Sequence, residues 1–184
     1  MKQHSLFVHA LKHPSSREEA FARLVSEYKE RLYWHIRKIV LDHDDANDVV
    51  QNTFIKVHLN IENFKENSTL FTWMYRIATN EALNFITSKA KKMGLQNQEW
   101  VEALTDGLEA DSYFDEDEAA LLLQKEVARL PEKQRIVFNM KYFDGMNYDA
   151  ISEILDTSVG ALKASYHHAV KKIKTKLTDE DPKK

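Results

Sequence analysis

The stretch from Tyr148 to His167, YDAISEILDTSVGALKASYH, has the spacing of a helix-turn-helix. The small residue Ala150 lies where two helices must cross closely. Asp156 occupies the turn, where a left-handed residue is usual and where Asp is tolerated. Asn147 and Ser158 precede the two helical segments, and both residue types are good N-caps. The pattern predicts two helices that meet at a tight turn.

The second of these helices has an apolar face and a basic face. Its apolar positions recur at helical spacing: Leu162, Tyr166, Ala169, Ile173 and Leu177. Its basic positions lie on another face: Lys163, His167, Lys171 and Lys174. An exposed basic face suits the major groove of duplex DNA, where lysines neutralise phosphates. A helical hairpin whose lysines are solvated and bind no DNA is the alternative.

Composition predicts helices for the rest of the chain as well. The 184 residues include four Gly, three Pro and no Cys, which argues against a turn-rich β fold. The absence of Cys excludes disulfides and thiolate zinc sites. No apolar run approaches the roughly 20 residues of a membrane span, and the N-terminus does not resemble a signal peptide. We therefore expect an all-α cytoplasmic protein without membrane insertion.

Apolar periodicity predicts the positions of the helices. In the N-terminal half, helices are predicted at 17–41, 44–60 and 69–89. In the C-terminal half, one helix is predicted from about residue 117 to before Pro131, and another from Pro131 to Phe143, where Gly145 interrupts it. The segment from Gly94 to Asp117 has no sustained period and is predicted to be an exposed linker.

Charge divides the chain at similar places. The formal net charge is +3 for residues 1–92, −9 for 93–126 and +3 for 127–184. Two mildly basic blocks joined by an acidic strip indicate two modules and a linker, with boundaries predicted at 1–92, 93–117 and 118–184. The overall charge of −3 therefore does not argue against nucleic-acid binding by either module.

Two other features have a functional and a structural interpretation. The helix at 69–89 carries a mixed face of Trp73, Arg76, Asn80, Asn84 and Thr87, which could stack on unpaired bases and hydrogen-bond to them. Equally, Trp73 could complete the core while the amides are solvated. His9 and His13 have the i, i+4 spacing of a metal pair, but no carboxylate cluster accompanies them. For these histidines we expect a solvated tail and no metal.

Two sets of segments carry a resemblance to a known family. DVVQNTFIKV (48–57), followed by LFTWMYRIATN (70–80), resembles region 2 of bacterial sigma factors. LPEKQR (130–135), followed by YDAISEIL (148–155) and VGALK (159–163), resembles region 4. The order of the segments and the acidic spacer also match. The whole chain resembles a two-domain sigma factor of the extracytoplasmic-function group, with a region 2 helical bundle and a region 4 helix-turn-helix.

The resemblance implies a non-catalytic subunit of bacterial RNA polymerase that binds the core enzyme and recognises promoter DNA, both as duplex and as melted strand. It implies no cofactor and leaves open an anti-sigma factor as a further partner. The implied core-binding residues are Asp48, Val49, Gln51, Asn52 and Ile55. The implied minus-ten residues are Phe64, Lys65, Ser68, Trp73, Arg76 and Asn80, with the loop Asn63–Ser68 holding a flipped base. The implied minus-thirty-five residues are Ser158, Lys163, Ser165, His167, Lys171 and Lys174.

Two other classes of protein remain open on sequence alone. One is a transcription regulator whose N-terminal helices sense a signal while the helix-turn-helix binds duplex DNA. The other is a helical interaction protein without a DNA role. Neither class requires the mixed face around Trp73 or the motif from Asp48 to Phe54, so these two features favour the sigma factor.

Overall fold

The computed structural model describes residues 2–105 and 118–179, and within these ranges it contains helices and no strand. The prediction of an all-α fold is confirmed there. The first helices are α1 (Lys2–Lys12), α2 (Arg17–Val40), α3 (His43–Asn60), α4 (Leu70–Lys92) and α5 (Asn97–Thr105), with a 3₁₀ turn (Ile61–Asn63) after α3. They are followed by α6 (Glu118–Ala128), α7 (Glu132–Phe138) with a π-helical turn (Asn139–Phe143), α8 (Tyr148–Leu155) and α9 (Val159–Asp179).

Short polar side chains begin several of these helices. The Asn147 side chain accepts a hydrogen bond from the Ala150 amide at 2.8 Å, and Ser158 Oγ accepts one from the Ala161 amide at 3.3 Å. These bonds satisfy amides that have no partner inside the helix, and both caps were predicted. Asp156 ends α8 with φ 50° and ψ 48°, which confirms the predicted left-handed turn of the helix-turn-helix.

Helices α2, α3 and α4 pack on one another around an apolar core. The apolar face of α3 is buried at Ala46, Val50, Phe54 and Val57, and it continues to Ile61 in the 3₁₀ turn. The face of α4 that meets it is buried at Met74, Ala78 and Ala82. This arrangement leaves the opposite side of α3 open to solvent along its length.

Helices α6, α7 and α9 form a second core around Val127, Leu130, Phe138, Ala169 and Ile173. The rings of Phe138 and Tyr166 stack with centroids 5.7 Å apart. Arg135 is fully buried and donates to the carbonyl of Ala128 at 3.3 Å. Burial lowers the pKa of this guanidinium to about 10, although the nearby Glu132 opposes the shift.

The structure corrects the sequence-based prediction at both ends of the N-terminal module. The segment expected to be a solvated tail is helix α1, whose Val8 and Leu11 side chains are fully buried. Part of the predicted linker is helix α5, which buries Val101 and Thr105. Both helices are short, so their few apolar residues gave no sustained period. Residues 106–117 of the predicted linker lie outside the described residues.

The two groups of helices contact each other. Helix α8 packs on α4, and the π-helical turn packs on α2. His35 of α2 lies 2.6 Å from the Asp144 carboxylate and 2.9 Å from the Thr79 hydroxyl. The Asn139 amide donates to the carbonyl of Lys38 at 3.2 Å. Buried residues of both groups therefore belong to one continuous apolar cluster.

Candidate polymerase and nucleic-acid interfaces

The outer face of α3 presents most of the residues predicted to bind core polymerase. Asp48, Gln51, Asn52 and Ile55 are all exposed, at positions that follow one side of the helix. The prediction that Val49 contacts core polymerase is wrong, because only 1% of its surface is accessible. It faces the core with Ala46 and Thr53, so it cannot contact a partner without unfolding the helix packing.

Sequence reasoning missed one residue of this face. Leu59 is 69% exposed and follows Ile55, which is 56% exposed, by one helical turn. Exposed apolar residues that lie together often mark an interaction surface. The sequence shows that Leu59 lies one helical turn after Ile55. It does not show that the exposed face of the helix extends as far as Leu59. Asp48, Gln51, Asn52, Ile55 and Leu59 are called the α3 strip below.

A cleft of 280 Å³ opens between the C-terminal half of α3 and helix α4. Trp73, Ile77 and Asn80 line it from α4. Lys56, Asn60, Asn63 and Glu81 complete it, and Lys56 Nζ lies 2.5 Å from the Glu81 carboxylate. An aromatic ring, an amide and a charged pair around a small cleft can hold a single base by stacking and by hydrogen bonds to its edge. We call it the minus-ten cleft, after the role that the sequence resemblance implies for Trp73 and Asn80.

The loop Asn63–Ser68, called the promoter loop below after the role that the resemblance implies, contributes Asn63 to the lining of this cleft. The prediction that Phe64 contacts DNA is also wrong. Phe64 is 3% exposed, and its ring lies 5.0 Å from that of Trp73. It supports the loop and is not available to DNA. Lys65 is exposed and Ser68 is half-buried. Glu66 has φ 56°, a left-handed conformation that is uncommon for a residue other than glycine.

Trp73 and Arg76 are in different environments. Trp73 is half-buried and packs against the core cluster that contains Phe64 and Met74, so part of its surface supports the fold. Arg76 is exposed, and its guanidinium donates to the backbone carbonyl of Glu153 in α8. When α8 packs on α4, Arg76 of the predicted minus-ten surface is therefore occupied by a contact within the protein.

Five of the six residues predicted to contact the minus-thirty-five element are exposed: Ser158 just before α9, and Lys163, His167, Lys171 and Lys174 on α9. Ser165 is half-buried. Ser158 also caps the helix, and Lys163 Nζ lies 5.8 Å from the centroid of the Tyr148 ring. Lys171 lies beside a 730 Å³ groove between α6 and α9 that is also lined by Arg129, Leu130, Pro131, Ile173 and Lys176.

The described part of the chain contains no group of three or more His, Asp or Glu residues arranged to hold a metal ion. The rings of His9 and His13 lie 5.9 Å apart and are tilted, and His13 Nδ1 lies 2.9 Å from the hydroxyl of Ser15. Within residues 2–105 and 118–179, no helix has the length and apolar character needed to cross a membrane.

Comparison with known proteins identifies the family. Residues 24–92 match Sigma-70 region 2, and residues 120–173 match Sigma-70, region 4. The ECF RNA polymerase sigma factor SigW of Bacillus subtilis is 32% identical over 173 residues, which cover 88% of this chain and 91% of SigW. The ECF RNA polymerase sigma-E factor of Haemophilus influenzae is 28% identical over 87% of this chain and 88% of that protein.

A solved structure shows the same fold. CnrH, in its complex with the cytosolic domain of CnrY, superposes with a TM-score of 0.70 at 20% identity over 97% of this chain and 98% of CnrH. The chain belongs to the sigma-70 family, in the extracytoplasmic-function group of RNA polymerase sigma factors. Its function is promoter-specific transcription initiation, with RNA polymerase and promoter DNA as its partners. The resemblance seen in the sequence is confirmed.

Proposed function

We propose that the α3 strip is the surface through which this sigma factor binds core polymerase. The observation that carries the proposal is the pair Ile55 and Leu59, two large apolar side chains that stay exposed on a helix whose other side is fully packed. Apolar residues at the centre of an interface supply most of its affinity, while charges such as Asp48 supply orientation and association rate.

The minus-ten cleft and the exposed tip of the promoter loop form the proposed surface for melted DNA. Trp73 supplies a stacking face, Asn80 an amide for a base edge, and Lys65 a positive charge for the backbone. Phe64 is buried and is therefore excluded from this surface, which consists of residues that DNA can reach. Arg76 joins this surface once it is released from the carbonyl of Glu153.

The exposed basic face of α9 is the proposed surface for duplex minus-thirty-five DNA. Lys163 and His167 lie on the N-terminal half of the helix, the half that enters the major groove in helix-turn-helix proteins. Lys171 and Lys174 lie further along and are placed to meet phosphates. The predicted division into 1–92, 93–117 and 118–184 fits these roles, with α5 added inside the segment predicted as linker.

Promoter binding in this proposal requires α8 to leave α4, because the packed arrangement engages Arg76. A protein that stabilised the packed arrangement would inhibit transcription. CnrH is seen with the cytosolic domain of CnrY, and the sigma factor RpoE is seen with the anti-sigma factor NepR from Bartonella quintana. We propose that an anti-sigma factor also regulates this chain, which acts in the cytoplasm, where RNA polymerase works, and has no catalytic role of its own.

Reconstitution with bacterial core polymerase tests the proposal. The purified chain is added to core enzyme with genomic DNA of its own source, and transcription start sites are mapped. We expect one set of starts that share a minus-ten and a minus-thirty-five sequence. Asp48→Lys should abolish them while the protein stays folded, because charge reversal at an interface adds repulsion. The matched control is Glu30→Lys, an exposed acid in the middle of α2.

Two results would contradict the proposal. Transcription starts without a shared upstream sequence would show that this chain does not recognise a promoter under these conditions. An equal loss of starts in Asp48→Lys and Glu30→Lys would contradict the assignment of the α3 strip as the core-binding surface.

A further inference from the structure

Helix α1 lies outside the residues that match Sigma-70 region 2, yet it shares a core with the promoter loop. Val8 and Leu11 are fully buried in the same cluster as Phe64, Leu70 and Met74. Burying these two aliphatic side chains removes their apolar surface from water, which stabilises the packing of α1 on this cluster. Helix α1 is therefore packed into the same core as the residues at the two ends of the promoter loop.

Polar contacts hold the start of the loop from the α1 side. Lys12 Nζ donates to the carbonyl of Phe64 at 2.5 Å and lies 5.8 Å from the centroid of its ring. Arg17 pairs with the carboxylate of Glu62, and it also donates to the carbonyls of Leu11 at 3.1 Å and Lys12 at 2.9 Å. The C-terminal end of α1 is thus tied to the 3₁₀ turn that leads into the loop.

The loop itself has an exposed tip. Lys65, Glu66 and Asn67 are exposed, and Glu66 has a left-handed φ of 56° that an L-residue adopts at some cost. The loop's conformation therefore depends on how its two ends are held. Thr69 begins α4 at one end, where its hydroxyl accepts from the Thr72 amide at 3.1 Å. Phe64, held by Lys12, defines the other end.

The same contact reaches the minus-ten cleft. The Phe64 ring lies 5.0 Å from the Trp73 ring, tilted by 36°. A change in the position of Phe64 would therefore move both the loop tip and the indole that lines the cleft. Lys12 does not line the cleft, and its contacts with the loop are to Phe64, so we expect its effect on the cleft to pass through Phe64.

We propose that α1 sets the geometry with which the promoter loop and Trp73 recognise the minus-ten element, and that Lys12 is a positioning residue for this recognition. The inference rests on the proposed role of the promoter loop in binding melted DNA. It adds a specificity determinant in a helix outside the matched sigma-70 segments.

The experiment compares four variants in reconstituted holoenzyme. Lys12→Met keeps the aliphatic stem over Phe64 but removes the donor and the charge. Lys12→Arg keeps both, and Lys29→Met is a control at an exposed lysine of α2. Transcription is measured from a duplex promoter library randomised at the minus-ten element and from a pre-melted template. Core affinity and thermal melting are measured on the same preparations.

We expect Lys12→Met to reduce discrimination between the best and second-best minus-ten bases by up to about tenfold, the scale of one hydrogen bond to a charged group. Core affinity and total transcription from the pre-melted template should be unchanged, and Lys12→Arg should restore the preference. Measurements are made well below each melting temperature, so that a loss of stability by itself does not alter base preference.

An unchanged base preference in Lys12→Met would overturn the inference. Asn80→Ala, which removes the amide proposed to read a base edge in the minus-ten cleft, separates this result from a failure of the proposed function. If Asn80→Ala changes the preference and Lys12→Met does not, the cleft contacts DNA and only the positioning role is wrong. If neither variant changes it, the cleft does not read the minus-ten element and both proposals are wrong.

Discussion

The imidazole of His35 lies 2.6 Å from the carboxylate of Asp144, although 109 positions separate them in the sequence. The carboxylate can only accept, so Nδ1 of His35 donates this hydrogen bond. Both side chains are almost inaccessible, and Lys38 Nζ lies 3.6 Å from the same carboxylate. This cluster joins α2 of the N-terminal helices to the turn before α8, and so connects the N-terminal and C-terminal groups of helices.

Asp144→Asn should loosen the packing between the modules. The substitution keeps the shape of the side chain but removes the charge that faces His35 and Lys38, which is expected to cost about 2 kcal/mol. The melting temperature should fall, and the radius of gyration measured by X-ray scattering should increase. Asp149→Asn, at an exposed acid in the same module, serves as the control. A compact Asp144→Asn protein of unchanged stability would show that the cluster does not hold the modules together.

The stability that Asp144 contributes should disappear in acid. Burial alone would raise the pKa of Asp144, but the hydrogen bond and charge of His35 and the ammonium of Lys38 together hold it below its usual range. A group with a depressed pKa stabilises the fold above its unfolded pKa, about 3.9 for Asp, and loses this effect as the pH falls through the folded value. The stability difference between the native chain and Asp144→Asn should persist down to about pH 4 and decline below it.

Urea unfolding of both proteins at a series of pH values measures this difference. The other carboxylates are common to both chains, so their titration largely cancels. A difference that stays constant well below the usual pKa of Asp would contradict the assignment of Asp144 as the charged partner.

Leu59→Ser should weaken binding to core polymerase by about tenfold or more, since an apolar side chain at the centre of an interface commonly contributes over 1 kcal/mol. The free protein should keep its stability within about 0.5 kcal/mol, because the side chain is exposed. Fluorescence anisotropy with labelled sigma factor gives the affinity. Met93→Ser is the matched control, as Met93 is 62% exposed at the end of α4. An equal effect of both substitutions would contradict the α3 strip.

Trp73→Leu should impair promoter opening more than promoter binding. Leucine fills much of the space beside Phe64, while the loss of the indole removes a stacking surface worth about 1–3 kcal/mol per base. Transcription from a duplex promoter should fall, and a pre-melted template should restore it. The control is Trp100→Leu, which changes another half-buried indole away from the cleft. A folded Trp73→Leu protein with the same defect on both templates would refute a role in strand opening.

Lys171→Ala should weaken binding to all duplex sequences by a similar factor. A lysine that meets phosphate releases about one counterion, so the slope of log affinity against log salt should decrease by about one. Electrophoretic mobility shifts at several salt concentrations measure the slope. Lys133→Ala, at an exposed lysine of α7, should leave it unchanged. A loss confined to one promoter sequence would instead assign Lys171 to base recognition.

The sequence by itself determined the features that depend on neighbours within one or two helical turns. The apolar faces of α2, α3, α4 and α9 follow from i, i+3 and i, i+4 spacing, and Asn147, Ser158 and Asp156 act on backbone groups a few positions away. The motifs around Asp48 and Tyr148 identified the family for the same reason, because their residues are consecutive. Most of the candidate contact residues, such as Gln51 and Lys163, are accordingly exposed where the pattern placed them.

Only the tertiary structure decided which residues of those motifs are accessible and what the distant ones contact. Val49 and Phe64 lie within the segment that matches Sigma-70 region 2 but are buried, because burial depends on how neighbouring helices dock and not on spacing within one helix. Helix α1 is stabilised by the core it shares with the promoter loop, which no local pattern reveals. The contact between His35 and Asp144 exists because two modules pack together, and a pairing across 109 positions leaves no local signal in the chain.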